Sequence, residues 1–204
     1  MSSRSRVLVI GAVAVVAAAA ALAVALFAFG GDEESYRGST PPEGIELPAF
    51  SLPDEQGQVV DSSGLDGKVT AVTFLDTQCT QACPVIASAV GQALDRLPDD
   101  ERRDVVALAL SVDPAEDTPE SVGAFLERHR VRGELRYLVA PEDELRPVWD
   151  AFGVMASLDS GSDDLHSAPV RIFDRNGVWV STLNAGADLT PESLAHDLAV
   201  ALDS

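Results

Sequence analysis

The stretch "VTAVTFLDTQCTQACPV" (Val69–Val85) decides the fold class, because it joins a buried strand to a helix through a turn that carries cysteines. Val69–Leu75 is a short run of apolar and β-branched residues, which is typical of a strand covered on both faces. Pro84–Leu97 has apolar residues at helical spacing. A strand followed directly by a helix is the repeating unit of an α/β domain. Cys79 and Cys83, the two cysteines of the chain, are therefore predicted to lie at a strand-to-helix junction.

Strand and helix patterns alternate through the rest of the sequence, with capping residues and turn signals between them. The predicted elements are a β-hairpin around Gly57, strands at Val69–Leu75, Asp104–Val112 and Leu135–Val139, helices at Pro84–Leu97, Thr118 to about Arg130 and Glu142–Phe152, a second hairpin that turns at Asn176 and Gly177, and a final helix that begins after Thr190. This order predicts an α/β, thioredoxin-like fold with an N-terminal β-hairpin addition.

The N-terminal part of the chain is predicted to be a membrane anchor. Val7–Phe29 is an unbroken apolar run, and its 23 residues would form a helix of about 34 Å, enough to span a bilayer. Two arginines precede the run and acidic residues follow it, which places the N-terminus in the cytoplasm. A cleaved signal peptide is the alternative, although its apolar region is usually about 7 to 15 residues long.

The sequence thus divides into three parts. Residues 1–30 are assigned to a cytoplasmic start and a signal-anchor transmembrane helix, residues 31–46 to a flexible tether, and residues 47–204 to the thioredoxin-like domain. The expected location is the cytoplasmic membrane, with a single span and the domain on the extracytoplasmic side, where thiols tend to oxidise.

The charge of the chain limits its partners. Its 14 basic and 33 acidic residues give a formal net charge of −19 at pH 7. Nucleic acids and anionic lipid surfaces attract proteins of the opposite charge. Neither is therefore expected to be the main partner, and membrane contact is expected only through the N-terminal helix.

Three roles are open to the cysteine pair: a reversible disulfide, a pair of metal ligands or a structural staple. A helix N-terminus favours the thiolate form of a nearby cysteine, and two soft thiolates suit Cu(I). A staple between Cys79 and Cys83 would close a very short loop and so add little stability. Structural zinc normally needs four ligands, and the chain has two cysteines.

Three blocks of the sequence resemble, in order and in spacing, the signature blocks of the SCO/SenC family. They are "FLDTQCTQACP" (Phe74–Pro84), "LSVDPAEDTPE" (Leu110–Glu120) and "LHSAPVRIFDRNG" (Leu165–Gly177). The resemblance implies a membrane-anchored, thioredoxin-like copper protein that helps to assemble the copper centre of cytochrome c oxidase. It also implies that Cys79 and Cys83 are the copper-binding and redox cysteines and that His166 is the third copper ligand.

Two functions follow as expectations. The first is copper delivery, in which a site suited to Cu(I) that could also take Cu(II) serves the copper-bearing subunit of cytochrome c oxidase or another copper-handling protein. The second is a thiol-disulfide oxidoreductase, in which Cys79 attacks and Cys83 resolves. Pro169, at the start of a predicted strand, is placed like the proline that faces the cysteines in such enzymes. A peroxidase is disfavoured, because no arginine is adjacent to the cysteine segment.

Overall fold

The predicted elements can be compared with a computed structural model, which describes residues 35–154 and 169–204. In chain order the elements are β1 (Ser51–Pro53), β2 (Val59–Asp61), β3 (Val69–Leu75), α1 (Ala82–Leu94), the single-turn helix α2 (Asp99–Arg102), β4 (Val105–Ser111), α3 (Pro119–Arg128), β5 (Leu135–Leu138), α4 (Glu142–Phe152), β6 (Pro169–Phe173), β7 (Trp179–Asn184) and α5 (Pro191–Asp203). A short 3₁₀ helix at Ser62–Leu65 follows β2. The predicted order of strands and helices is confirmed.

The central sheet is mixed and has β3 in its middle. Its strand order is β5-β4-β3-β6-β7, in which β3 pairs in parallel with β4 and antiparallel with β6. The parallel register runs from Val69 opposite Val105 to Leu75 opposite Ser111. Because parallel strands end at the same edge, the loops after β3 and β4 leave the sheet side by side. The cysteine loop is the first of these, and the loop that contains Asp117 is the second.

Side chains of β3 alternate between two apolar layers, as a strand covered on both faces requires. Val69, Ala71 and Leu75 face one cluster, which includes residues of α1, α3 and α5. Val72 and Phe74 face the other, which includes residues of the β1–β2 hairpin and α4. All seven residues of β3 are buried, which confirms the prediction.

Helix boundaries differ slightly from the sequence pattern at α1. This helix begins at Ala82, two residues before the predicted start at Pro84. Proline is tolerated in a first helical turn because the N–H that it lacks would have no partner there. At α3 the predicted cap is confirmed, since the Thr118 side chain accepts a hydrogen bond from the Ser121 N–H in a capping box.

Both predicted hairpins are present, and each is held by an aspartate. The Asp174 carboxylate accepts hydrogen bonds from the N–H groups of Asn176 (2.9 Å) and Val178 (2.8 Å). Gly177 takes a positive φ of 74°, a conformation that glycine adopts without steric cost. Asp54 caps the β1–β2 turn in the same manner.

The segment 36–46 lies along the edge strand β7. Ser39 forms an antiparallel bridge with Thr182, and Glu46 forms another with Val178, just before β7. The approach is close at Gly38, where a Cβ atom would lie 2.3 Å from the Ser181 Oγ. Within the described part of the range 31–46, which the sequence assigns to a flexible tether, Ser39 and Glu46 are paired with the sheet. Backbone pairing of this kind is not visible in a composition rich in glycine, proline and charge.

A buried carboxylate fixes this segment to the last helix. Asp197 in α5 is fully buried, and it accepts hydrogen bonds from the N–H groups of Arg37 (2.7 Å) and Gly38 (3.0 Å). The Ser181 hydroxyl donates a third hydrogen bond at 2.6 Å. The Asp197 carboxylate thus joins the N-terminal segment, β7 and α5.

The predicted membrane span, Val7–Phe29, lies outside the described residues. Among residues 35–154 and 169–204, no helix has the length and apolar character needed to cross a bilayer.

Candidate functional site

The two cysteines lie where the sequence predicts, in the loop after β3 and in the first turn of α1. Cys83 is fully buried in the helix-covered layer, and Cys79 is partly exposed at its margin. The Cys83 N–H donates a hydrogen bond to the Cys79 Sγ at 3.3 Å. Both thiols are free and close together, so the pair can serve as a dithiol or as two sulfur ligands.

Burial decides the proton affinity of the inner thiol. Removal from water raises the pKa of the Cys83 thiol well above its ordinary value, and a hydrogen bond with Cys79 raises it further, against a smaller opposite effect of the Asp76 backbone N–H. The expectation that the helix N-terminus lowers the thiol pKa is wrong for Cys83, because its side chain points into the apolar layer. A ligand that needs the Cys83 thiolate must therefore displace a tightly held proton.

A second buried group, Asp117 in the loop after β4, is hydrogen-bonded to the cysteine loop. Its carboxylate accepts a hydrogen bond from the Thr77 N–H at 2.9 Å, across forty positions of sequence. The hydroxyls of Ser111 and Tyr137 donate two more, at 2.6 and 2.9 Å. Burial raises the pKa of Asp117, and the hydrogen bonds from Ser111, Thr77 and Tyr137 act in the opposite direction.

Tyr137 links this carboxylate to the cysteine layer. Its side chain is fully buried and belongs to the same apolar cluster as Cys83. Burial and the neighbouring charge of Asp117 raise the pKa of its hydroxyl well above the ordinary value. The phenol therefore stays protonated at neutral pH and donates its hydrogen bond to Asp117.

The third predicted ligand, His166, lies outside the described residues, and so does the bond that precedes Pro169. Within residues 35–154 and 169–204, no group of three histidine, cysteine or acidic side chains is arranged to hold a metal ion.

The chain enters the undescribed interval near the end of α4 and leaves it at the start of β6. Arg171 of β6 joins these two elements, since its Nη1 donates to the Phe152 carbonyl at 2.5 Å.

The other two histidines, His129 and His196, are half-buried. His129 packs against Phe125, with 4.6 Å between ring centroids. Partial burial and the adjacent Arg128 lower its pKa. His196 lies in α5 with its Nδ1 3.1 Å from Asp197.

The sequence does not reveal that Asp117, Ser111 and Tyr137 form a network. The block "SVDPAEDTPE" marks the loop, and its Asp117–Thr118–Pro119 step explains a helix cap. That pattern does not reveal that Asp117 turns inward to the cysteine loop. A carboxylate placed just before a helix cap could have been flagged as an acceptor for a neighbouring loop.

Comparison with known proteins identifies the family. The family model SCO1/SenC matches residues 39–203. The chain belongs to the SCO1/SenC family. This confirms the resemblance seen in the three sequence blocks.

Individual relatives differ considerably from this chain. A SCO2-like protein of Rickettsia typhi is 25% identical over 138 residues, which are 65% of this chain and 66% of the relative. The chain thus spans just under two thirds of the length of this curated relative. ScoI of Bradyrhizobium japonicum, solved with copper bound, is 30% identical with a TM-score of 0.59, over 76% of this chain and 98% of that one.

A third comparison concerns the fold alone. BsSco, a member of the Sco family of cytochrome c oxidase assembly proteins in which a disulfide switch has been identified, is 19% identical. Its TM-score is 0.67, over 81% of this chain and 98% of BsSco. The protein has the mixed α/β, thioredoxin-like fold of the Sco proteins, with β1 and β2 as the N-terminal addition.

Proposed function

We propose that the protein binds copper through Cys79 and Cys83, with His166 as the third ligand, and serves the assembly of the copper centre of cytochrome c oxidase. The observation that carries the proposal is the pair of adjacent free thiols at the strand-to-helix junction of a SCO1/SenC chain. Support also comes from ScoI of Bradyrhizobium japonicum, which binds copper.

The donors fit the metal. Thiolates are soft ligands that favour Cu(I), and an added imidazole suits both Cu(I) and Cu(II). Cys83 is buried in an apolar layer, which keeps water away from one side of the site. Because both thiols must lose their protons on binding, copper affinity should rise with pH while Cys83 is protonated in the free protein.

The location and the recipient belong to the same proposal. The apolar run Val7–Phe29 with arginines before it supports a single membrane span and an extracytoplasmic domain. The recipient is then the copper-bearing oxidase subunit or another copper-handling protein on that side.

The test is a Cu(I) titration of the full chain, reduced, against a chromogenic chelator. The wild type should bind one copper per chain. Cys79→Ser and Cys83→Ser should each abolish binding, and His166→Ala should weaken it. His129→Ala is the matched control and should bind like the wild type. A reduced wild type that takes no Cu(I) from the chelator contradicts the proposal.

A second function, thiol-disulfide exchange, is favoured by the unequal exposure of the thiols. Cys79 is partly exposed and can attack a partner disulfide, and Cys83 is placed to resolve the mixed disulfide. In that reaction the two thiols give two electrons and two protons to the partner disulfide. A reduction potential between about −270 and −120 mV that is indifferent to His166→Ala would favour this function. Equal reductase activity of the Cys79→Ser variant would exclude it.

A further inference from the structure

We propose that Asp117 is a positioning residue for the cysteine pair, acting through the backbone of the loop that carries Cys79. The inference rests on the proposed function in that the spacing of the two thiols matters for metal or disulfide chemistry. Its test needs neither copper nor a partner protein, so it can fail or succeed independently of that function.

The first step is the hydrogen bonding of the loop backbone. Three successive N–H groups lead to Cys79, and each has an acceptor. Gln78 donates to the Asp76 side chain at 2.6 Å, and Cys79 donates to the Asp76 carbonyl at 3.3 Å. These two bonds shape the turn locally. The third, from Thr77 to Asp117 at 2.9 Å, joins the turn to a different element.

The second step is the rigidity of the acceptor. Asp117 is only 1% exposed. While one carboxylate oxygen accepts the Thr77 N–H, the other accepts the hydroxyls of Ser111 and Tyr137, both fully buried. Ser111 ends β4 and Tyr137 belongs to β5, so the carboxylate is held by two strands of the sheet. Its oxygens cannot swing without breaking bonds in a buried layer.

The consequence concerns Cys79, two residues beyond Thr77. Cys83 is held by α1 and by its apolar surroundings. Cys79 lies in a loop, where its sulfur accepts the Cys83 N–H at 3.3 Å, and the bond from Thr77 to Asp117 ties the backbone of that loop to the sheet. A second contact, from the Thr77 hydroxyl to the Ser121 hydroxyl, is long at 3.5 Å. Asp117 therefore positions the backbone from which the Cys79 sulfur reaches the Cys83 N–H.

The experiment measures two thiol properties of the metal-free, reduced full chain. One is the rate at which iodoacetamide alkylates Cys79, with iodide and a proton as the leaving products. The other is the equilibrium constant for oxidation by glutathione disulfide, in which the two cysteines give two electrons and two protons to form two glutathione thiols. Peptide mass mapping assigns the alkylated residue.

Asp117→Ala should increase the Cys79 alkylation rate about tenfold and decrease the oxidation constant about tenfold. A tenfold change corresponds to about 1.4 kcal/mol, close to the lower end of the range for one hydrogen bond to a charged group. Asp117→Asn keeps an oxygen for the Thr77 N–H, and its amide can donate to the hydroxyls. It should return both properties to within about threefold of the wild type, less than 1.4 kcal/mol.

Ser111→Ala is the matched control, since it removes one hydrogen bond from the same carboxylate but leaves the bond from Tyr137 that holds it and the bond to the loop. It should unfold more easily and keep the wild-type alkylation rate. Equal alkylation changes in Ser111→Ala and Asp117→Ala would overturn the proposal, because the effect would then follow stability alone. A folded Asp117→Ala with both constants unchanged would also overturn it.

If Asp117→Ala does not fold, Asp117→Glu replaces it. This variant keeps the charge and moves the acceptor by one methylene, so the alkylation rate should rise while that of Asp117→Asn stays near the wild-type value. The opposite ranking of these two variants would reject a positioning role.

Discussion

Two regions of the molecule, the cysteine loop and the N-terminal segment 36–46, are held by the same device. Asp117 fixes the first and Asp197 fixes the second, each from a buried position. Each carboxylate accepts a serine hydroxyl at 2.6 Å, from Ser111 and Ser181 respectively. Asp117 also accepts one backbone N–H from the loop that it holds, and Asp197 accepts two. The two carboxylates thus use the same kinds of donor, a serine hydroxyl and backbone N–H groups.

The difference lies in what each loop carries. Asp117 holds the loop that carries Cys79, whereas Asp197 holds a segment without a cysteine or a histidine. Loss of either carboxylate should therefore cost stability, but only loss of Asp117 should change thiol chemistry. The comparison separates structural support from support of the site.

The largest effect is expected for Asp197→Ala. The substitution leaves the N–H groups of Arg37 and Gly38 and the Ser181 hydroxyl without their acceptor. The free energy of unfolding should fall by about 3–5 kcal/mol, as for other broken buried charged networks. Urea unfolding measures the loss, and Asp203→Ala, an exposed aspartate of the same helix, is the control. An unchanged Cys79 alkylation rate in the folded variant would show that Asp197, unlike Asp117, does not act on the thiols.

A steric substitution tests the same region without touching a carboxylate. In Gly38→Ala the new Cβ would lie 2.3 Å from the Ser181 Oγ and 2.5 Å from the Thr182 carbonyl oxygen. Because a backbone group must then shift, stability should fall by about 2–3 kcal/mol. The control is Gly64→Ala, where no heavy atom lies within 4 Å of the added carbon. Equal urea midpoints for the two variants would contradict the prediction and show that segment 36–46 accommodates the added carbon without loss of stability.

The two serines provide a matched pair. Ser111→Ala and Ser181→Ala each remove a fully buried hydroxyl that donates to a carboxylate at 2.6 Å. Each should lower the free energy of unfolding by about 1.5–2 kcal/mol. Thermal and urea unfolding should give similar losses for both. A difference of more than about 1 kcal/mol, the net value of one neutral hydrogen bond, would break the equivalence of the two regions.

The smallest effect is a pH dependence. The pKa of Asp117 is raised in the folded protein, chiefly by burial. Between its unfolded and folded pKa values the folded state binds more protons, so this group makes stability fall as pH rises. Asp117→Asn removes that contribution, and its stability relative to the wild type should therefore improve as pH rises through this window. Urea unfolding midpoints of both proteins between pH 4 and about pH 7 measure how the stability difference changes with pH.

Asp54 should give stability the opposite dependence on pH. Burial alone would raise its pKa, but hydrogen bonds from Arg136 and from the N–H groups of Gln58 and Gln56 outweigh burial and lower it. Its stabilisation is present above the unfolded pKa and is lost as pH falls through the folded value. Asp54→Asn should thus be destabilised at neutral pH, with a loss that shrinks in acid. A loss that is constant with pH would show that the charge of Asp54 is unimportant.

Much of the fold could be predicted from the sequence because its signals are local. The buried strand Val69–Leu75 and the helix Glu142–Phe152 are found at their predicted bounds. The threonine caps before α3 and α5 also depend only on neighbouring residues. The junction that holds Cys79 and Cys83 follows from the same local patterns.

The rest could not be predicted, because it depends on contacts between distant parts of the chain. Nothing near Thr77 indicates that its N–H reaches Asp117, and nothing near Gly38 indicates Asp197. The raised pKa of Cys83 depends on the direction of its side chain, which the packing of α1 against the sheet decides.

The bridges of Ser39 to Thr182 and of Glu46 to Val178 have a consequence for association between molecules. An open sheet has two edge strands whose unpaired backbone groups can recruit a strand from another chain. On the β7 side the segment 36–46 occupies part of that edge. On the β5 side the strand has four residues, and Asp54 bridges to Leu138 while the Val139 N–H donates to the Pro53 carbonyl. Both margins of the sheet are thus partly covered by the chain itself, which protects the protein against edge-to-edge aggregation.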